Sequence, residues 1–149
     1  MISFKVQCHP DGEEYLNVRI YRTKRQMKRF LVRVGWRSDC EACCCGYKRQ
    51  QFFKGRWRTL PDLGTLVFHD SQFRVGVIAH ECGHAALRWW ERKSGRGTLR
   101  IDSQDDGMCT EEEESVLWVA GNLVAQVATG YQERVKTPTH PKTSRPVSS

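Results

Sequence analysis

No run of twenty consecutive apolar residues occurs in this 149-residue chain, so no transmembrane helix is expected. The N-terminal stretch MISFKVQCHPDGEE lacks a basic segment followed by an apolar one, the pattern of a secretory signal. A cytoplasmic location and no membrane partner are therefore the expectation. No internal repeat is present, which sets aside solenoid and propeller architectures. The seven cysteines are odd in number, which argues against a closed disulfide framework. In a reducing compartment such thiols are buried, metal-bound or catalytic more often than paired. Acidic residues are scarce in the first sixty positions, with 5 Asp/Glu against 14 Lys/Arg, whereas the remainder carries 12 against 10. That asymmetry suits a polyanionic or acidic partner for the first half; a solvated basic face is the plainer alternative.

What is present fits one α+β domain over residues 1–136. Hydrophobic residues make up 39% and charged residues 28%, ordinary values for a folded protein, and 149 residues suffice for one sizeable core. Tyr15–Arg22 alternates as a strand, with Tyr15, Val18 and Ile20 as its apolar members. Thr23 can cap a helix in which Met27, Phe30, Leu31 and Val34 form an apolar stripe, and Gly35 can stop it. Residues 39–60, rich in cysteine, aromatics and basic residues, read as an insertion or loop, or as a loosely paired hairpin. Gly64–His69 reads as a short strand, and a helix is expected from about Phe73 to Lys93, ended by SGRG. Thr110 then precedes EEEESVLWVAGNLVAQVATG, a second helix whose first-turn glutamates suit the helix dipole. From Thr137 the tail is Pro-, Ser- and Thr-rich with almost no apolar content, and is expected to be disordered.

The chemistry concentrates in VIAHECGHAALRWW, Val77 to Trp90. Positions i and i+4 share a helix face, so His80 and His84 can aim ring nitrogens at one metal ion. Glu81 lies on the neighbouring side, where it can take a proton from a metal-bound water. A chance H-E-x-x-H in a chain this long is on the order of one in a few hundred. The alternative is a core helix whose two histidines are satisfied by hydrogen bonds. The small and apolar flanking residues suggest a helix buried on much of its circumference, with Gly83 permitting close approach of a neighbour. A catalytic zinc needs a third protein ligand and an open position. Glu114 is the first choice, on a face that continues through Leu117 and Trp118 to Gly121, where a second helix could cross closely. Glu113 comes next, and Glu111, Asp105, Asp106, His69 and Cys109 are weaker options.

HECGH followed about thirty residues later by E-S-V-L-W-V-A-G-N-L resembles small phage and prophage zincin-type proteins of the gluzincin kind, and more distantly the ImmA-type peptidases. The resemblance spans roughly Tyr15–Val127 and implies a minimal zincin-like fold: a small, mainly antiparallel sheet packed on the HExxH helix and on a second, Glu-bearing helix. It implies a zinc metallopeptidase of the bacterial cytoplasm, with His80, His84 and Glu114 as ligands and Glu81 as general base. Its substrate would be a protein or peptide, bound by strand addition at an edge near Gly64–His69. Tyr131, His69 and Arg74 are candidate oxyanion donors. The CEACCC segment lies outside the pattern.

That segment gives Cys40-x-x-Cys43 with Cys44 adjacent, and a second, structural zinc could be held by these with Cys8 or His9. Reduced, partly buried cysteines are the favoured reading. Lys48–Arg58, KRQQFFKGRWR, interleaves Lys54, Arg56 and Arg58, candidate anion contacts, with Phe52, Phe53 and Trp57. Nucleic acid is thereby a candidate partner, within a competing picture of a non-catalytic, metal-stabilised binding protein that grips nucleic acid or an acidic host protein. The favoured alternative for the segment itself is an amphipathic hairpin with its aromatics packed inward. No pattern bears on oligomeric state.

Overall fold

A computed structural model describes residues 1–37, 39–46, 50–95 and 110–136. Its elements in chain order are β1 (Ile2–Gln7), β2 (Tyr15–Tyr21), α1 (Lys24–Arg33), β3 (Ala42–Gly46), β4 (Gln50–Phe53), β5 (Arg56–Thr59), β6 (Asp62–His69), α2 (Val75–Ser94) and α3 (Glu111–Lys136), with a 3-10 turn at Asp70–Gln72. The fold is α+β. A four-stranded sheet has the order β1-β2-β6-β3, antiparallel except for the parallel β2–β6 pair; β4 and β5 form a separate antiparallel hairpin. The expected tail beyond Lys136 lies outside the described residues.

The sheet is covered on both faces. Phe4, Val6, Leu16, Val18, Ile20, Leu66 and Phe68 point to one side and meet Ile78, Cys82, Ala85, Ala86, Trp89 and Trp90 of α2 and Val116, Val119, Leu123 and Val127 of α3. Tyr21, Cys43, Cys45 and Val67 point to the other side, against Met27 and Leu31 of α1. β6 is buried along nearly its whole length, as its continuous apolar run requires for a central strand. Its parity is set by a bulge opposite Tyr15/Leu16. Leu63 is the extra residue and joins Leu66 and Phe68 rather than Val67. In β2 the inward alternation is therefore Leu16, Val18, Ile20, and Tyr15 is only half-buried, unlike the sequence expectation.

Local signals behave as their chemistry dictates. Thr23 caps α1 by accepting from the Gln26 N–H, and Gly35 follows with a φ of 73°. Thr110 and Glu113 form a reciprocal capping box at the start of α3, Thr110 N–H to Glu113 Oε2 at 2.8 Å and Glu113 N–H to Thr110 Oγ at 3.2 Å. The outer strand β1, absent from the elements expected above, is held at its end by Gln126 of α3. Gln126 Oε1 accepts from Gln7 N–H at 2.9 Å and its Nε2 donates to Gln7 O at 2.8 Å.

Two expectations about close helix crossing do not hold. Nothing lies within 4 Å of a Cβ built on Gly83 or Gly121. The buried stripe of α3 runs through Val116, Val119, Leu123, Val127 and Gly130, while Leu117 and Trp118 are 62% and 51% exposed. The tight approach is instead at Gly130, against the Phe4 ring. The most demanding glycine is Gly64, with a φ of 144° and Cys45 O only 2.3 Å from where a Cβ would sit. Gly64→Ala is therefore expected to destabilise the fold beyond the ~1–3 kcal/mol of a disfavoured backbone conformation, because it also wedges β3 away from β6. Gly121→Ala is expected to stabilise by about 0.5–1 kcal/mol, since an exposed helical site gains propensity and meets no obstacle. Urea unfolding of both variants checks the pair.

Candidate metal centre

α2 packs its apolar stripe between the sheet and α3, which fixes the direction of every other side chain on it. His80 and His84 face solvent, so they are not the buried pair that the flanking residues suggested. The reason is periodicity: Ile78, Cys82, Ala85 and Trp89 claim the inward faces, and positions 80 and 84 fall opposite them. The two rings nevertheless converge. Their Nε2 atoms are 3.1 Å apart and the rings meet edge-on, 4.6 Å between centroids at 89°. Two nitrogens bound to one tetrahedral zinc at roughly 2.0–2.1 Å stand about 3.3 Å apart, so the pair is close to the spacing that a shared ion requires.

Glu81 is buried at 7% exposure, on the flank of α2 that faces β3. Its carboxylate accepts a hydrogen bond from the Cys44 backbone N–H and lies near both histidines. Burial raises its pKa above the ordinary carboxylate value; His80, His84 and the Cys44 N–H pull in the opposite direction without cancelling the shift.

Glu114 is elsewhere. It lines a groove of about 690 Å³ with Trp89, Trp90, Lys93, Glu111 and Trp118. Trp90 and Lys93 are six to nine residues beyond His84, which is about 9–14 Å further along the helix at ~1.5 Å per residue. Among the described residues no group of three or more His, Cys, Asp or Glu side chains is gathered closely enough to hold a metal ion. The histidine pair offers two nitrogens at a zinc-compatible spacing, and the described position of Glu114 does not complete a ligand set. Glu113 is engaged in the capping box, and Glu111 lies in the groove with Glu114. Asp105, Asp106 and Cys109 lie outside the described residues.

His69 ends β6 and caps the 3-10 turn, its Nδ1 accepting from Ser71 N–H at 3.3 Å. Tyr131 packs on Phe73 at 4.2 Å and donates its hydroxyl to Asp70 Oδ1 at 2.7 Å, so it is already committed. Arg74 is the exposed N-cap residue of α2. His9, the alternative to Cys8 as a ligand of a second zinc, instead stacks on Trp89 at 6.2 Å, tilts against Trp118 at 5.1 Å and lines the groove. No sequence motif marked this contact, because it joins the β1–β2 turn to both long helices.

The cysteine segment is a sheet strand rather than an insertion. Alternation along β3 sends Cys43 and Cys45 to the α1 side and Cys44 to the α2 side. Cys43 and Cys45 stand 3.4 Å apart sulfur to sulfur, with Cys40 beside them. Cys44 sits with Cys8 and Cys82 on the opposite face. The set Cys8, Cys40, Cys43, Cys44 is consequently split across the sheet and cannot form one zinc site. Burial pushes the thiols of Cys8, Cys44 and Cys82 up to about 12, which keeps them protonated and unreactive at neutral pH.

No protein-family model matches the chain, and neither a curated protein nor a solved structure resembles it significantly.

Two outcomes follow from the burial. In a native alkylation time course read by mass spectrometry, Cys40 is expected to label well before Cys8 and Cys82. In metal-free protein, Glu81→Gln is expected to raise the melting temperature at pH 7, with the gain vanishing toward pH 4. The sign follows because a carboxyl whose folded pKa is raised costs stability only above its unfolded value, and the cost is full once pH passes the folded one.

Proposed function

We propose that the protein is a zinc-dependent hydrolase of peptide bonds, with His80 and His84 as metal ligands and Glu81 as general base. The convergence of the two Nε2 atoms at 3.1 Å, where one ring hydrogen-bonds the other, carries this reading, because it is close to the spacing of two ligands on one ion. Zinc bound there would lower the pKa of a bound water to about 7 and polarise a substrate carbonyl. Glu81 follows His80 directly, and its carboxylate, already short of solvent, is suited to accept the proton of such a water. A third ligand is needed from outside the histidine helix.

Substrate docking shifts by one strand from the sequence expectation. β6 lies inside the sheet between β2 and β3, so Gly64–His69 offers no free edge; among the described residues β3 does. An extended peptide added to β3 would take up backbone groups on either side of Cys44, whose N–H already leads to Glu81. The substrate would thus lie within reach of the base. Among the described residues no helix is long and apolar enough to cross a membrane, which accords with action on a protein substrate in the cytoplasm of a bacterial host.

One observation favours a second reading, a metal-stabilised protein without turnover. The hydrogen bond from Cys44 N–H lets Glu81 clamp α2 to the sheet edge, a task that needs no catalysis. Glu81→Gln separates the two, since a glutamine oxygen still accepts from Cys44 N–H but takes up no proton. For a hydrolase, the variant keeps about one zinc per chain and loses roughly 10²–10⁴-fold of its turnover on a quenched-fluorescence peptide library. Zinc binding by the unaltered chain without any cleavage would support the non-catalytic scaffold instead.

Metal analysis tests the ligands. His80→Ala and His84→Ala are each expected to lose zinc, and full retention in both would end either reading. Glu114→Ala is expected to retain it, given where α3 begins; loss would show that the first turn of α3 reaches the histidines when metal is bound.

A further inference from the structure

The hairpin β4–β5 is built unlike the rest of the protein. Every residue from Gln50 to Thr59 is exposed, and among the described residues neither strand packs substantially on any element except the other. Phe52, Phe53 and Trp57 are 59%, 48% and 67% exposed, so the aromatics are not folded inward. A lone two-stranded ribbon is marginally stable in water, and apolar surface of this kind on a monomer marks a contact site. The turn adds a further cost: Lys54 and Gly55 have φ of 49° and 75°, the geometry of a two-residue hairpin turn, with a lysine in the left-handed region.

The two faces differ in chemistry. Phe52 and Trp57 are cross-strand partners with ring centroids 5.3 Å apart, a small aromatic platform. The other face carries Phe53 between cations, Arg58 at 5.5 Å and Lys54 at 5.4 Å from its ring, with Arg56 as its cross-strand partner. Paired strands are only about 5 Å apart, so these long side chains reach past the ribbon edges. From Gly46 to Pro61 the sequence holds five Lys/Arg and no Asp or Glu.

We propose that this hairpin binds single-stranded nucleic acid, with bases stacked on Phe52 and Trp57 and phosphates held by Lys54, Arg56 and Arg58. The charge complements a polyanion, and exposed rings offer what an unpaired base needs and a paired one does not. A second copy of the chain is disfavoured because like charges would meet. A lipid surface is disfavoured because Lys54 and Gly55 form the tip, and insertion would drive the ammonium into hydrocarbon first. The inference stands apart from the metal reading and survives its failure.

The test is fluorescence anisotropy of the full chain with a labelled polythymidine of about twenty nucleotides, between about 50 and 200 mM salt. Phe52→Ala with Trp57→Ala is expected to weaken binding about tenfold or more, leaving the salt slope unchanged. Lys54→Ala with Arg56→Ala and Arg58→Ala is expected to reduce the log–log salt slope by about 2. Because the hairpin contributes little to the core, both variants are expected to keep the parent melting temperature, which circular dichroism verifies. The proposal is overturned by absence of binding at low salt, by equal affinity of the aromatic variant, or by a duplex of the same length bound as tightly as the single strand. Co-sedimentation with phosphatidylserine vesicles but no oligonucleotide binding overturns it in favour of a membrane.

Discussion

The two-sided burial of β6 is the constraint on which the rest of the structure depends. A strand reading DLGTLVFH has no polar face to give to water, so helices must cover both sides of it and strands must flank both edges. α1 supplies one cover, α2 and α3 the other, and β2 and β3 the flanks. Gly64 makes this closeness possible, because the carbonyl of Cys45 occupies the place of any side chain there. The bulge beside it then sets which residues face which layer.

β3 inherits its character from that neighbour. Pairing with β6 imposes a period of two on a run of three cysteines, and the sheet becomes a wall between them. Cys44 faces α2 with Cys8 and Cys82, whereas Cys43 and Cys45 face α1 beside Cys40. A cluster that looks like one soft-metal site in one dimension is two separate groups in three. Position at the sheet edge also gives β3 its relation to the histidine helix, because Glu81 reaches the Cys44 N–H.

The same packing shapes the candidate metal centre. With its inward faces taken by Ile78, Cys82, Ala85 and Trp89, α2 turns His80 and His84 outward, where the two rings meet without a third ligand beside them in the described residues. Glu114, in the first turn of α3, lies by the C-terminal turns of α2 and joins an aromatic groove that His9 also lines. The site is thereby divided between an exposed histidine pair and a buried carboxylate, and the division follows from helix periodicity rather than from the motif.

What could be read along the chain was whatever depends on neighbours a few residues apart. The capping of α1 by Thr23, the course of α2, the start of α3 after Thr110, the strand at Gly64–His69 and the convergence of His80 with His84 are all local consequences of backbone geometry and spacing, although α3 runs six residues past the expected Gly130 to Lys136. What could not be read depends on long-range partners. β1 alternates strictly, Ile2, Phe4 and Val6 against Ser3, Lys5 and Gln7, so its strand character was local, whereas its pairing with β2 and its tie to Gln126 were not. The interior place of β6, the division of the cysteines, the outward turn of the aromatics in β4–β5 and the separation of Glu114 from His84 were settled by which layers met. The physical reason is that hydrogen-bond geometry within a turn is a property of a few residues, whereas burial belongs to the whole assembly of elements, and no residue carries its own depth in its identity.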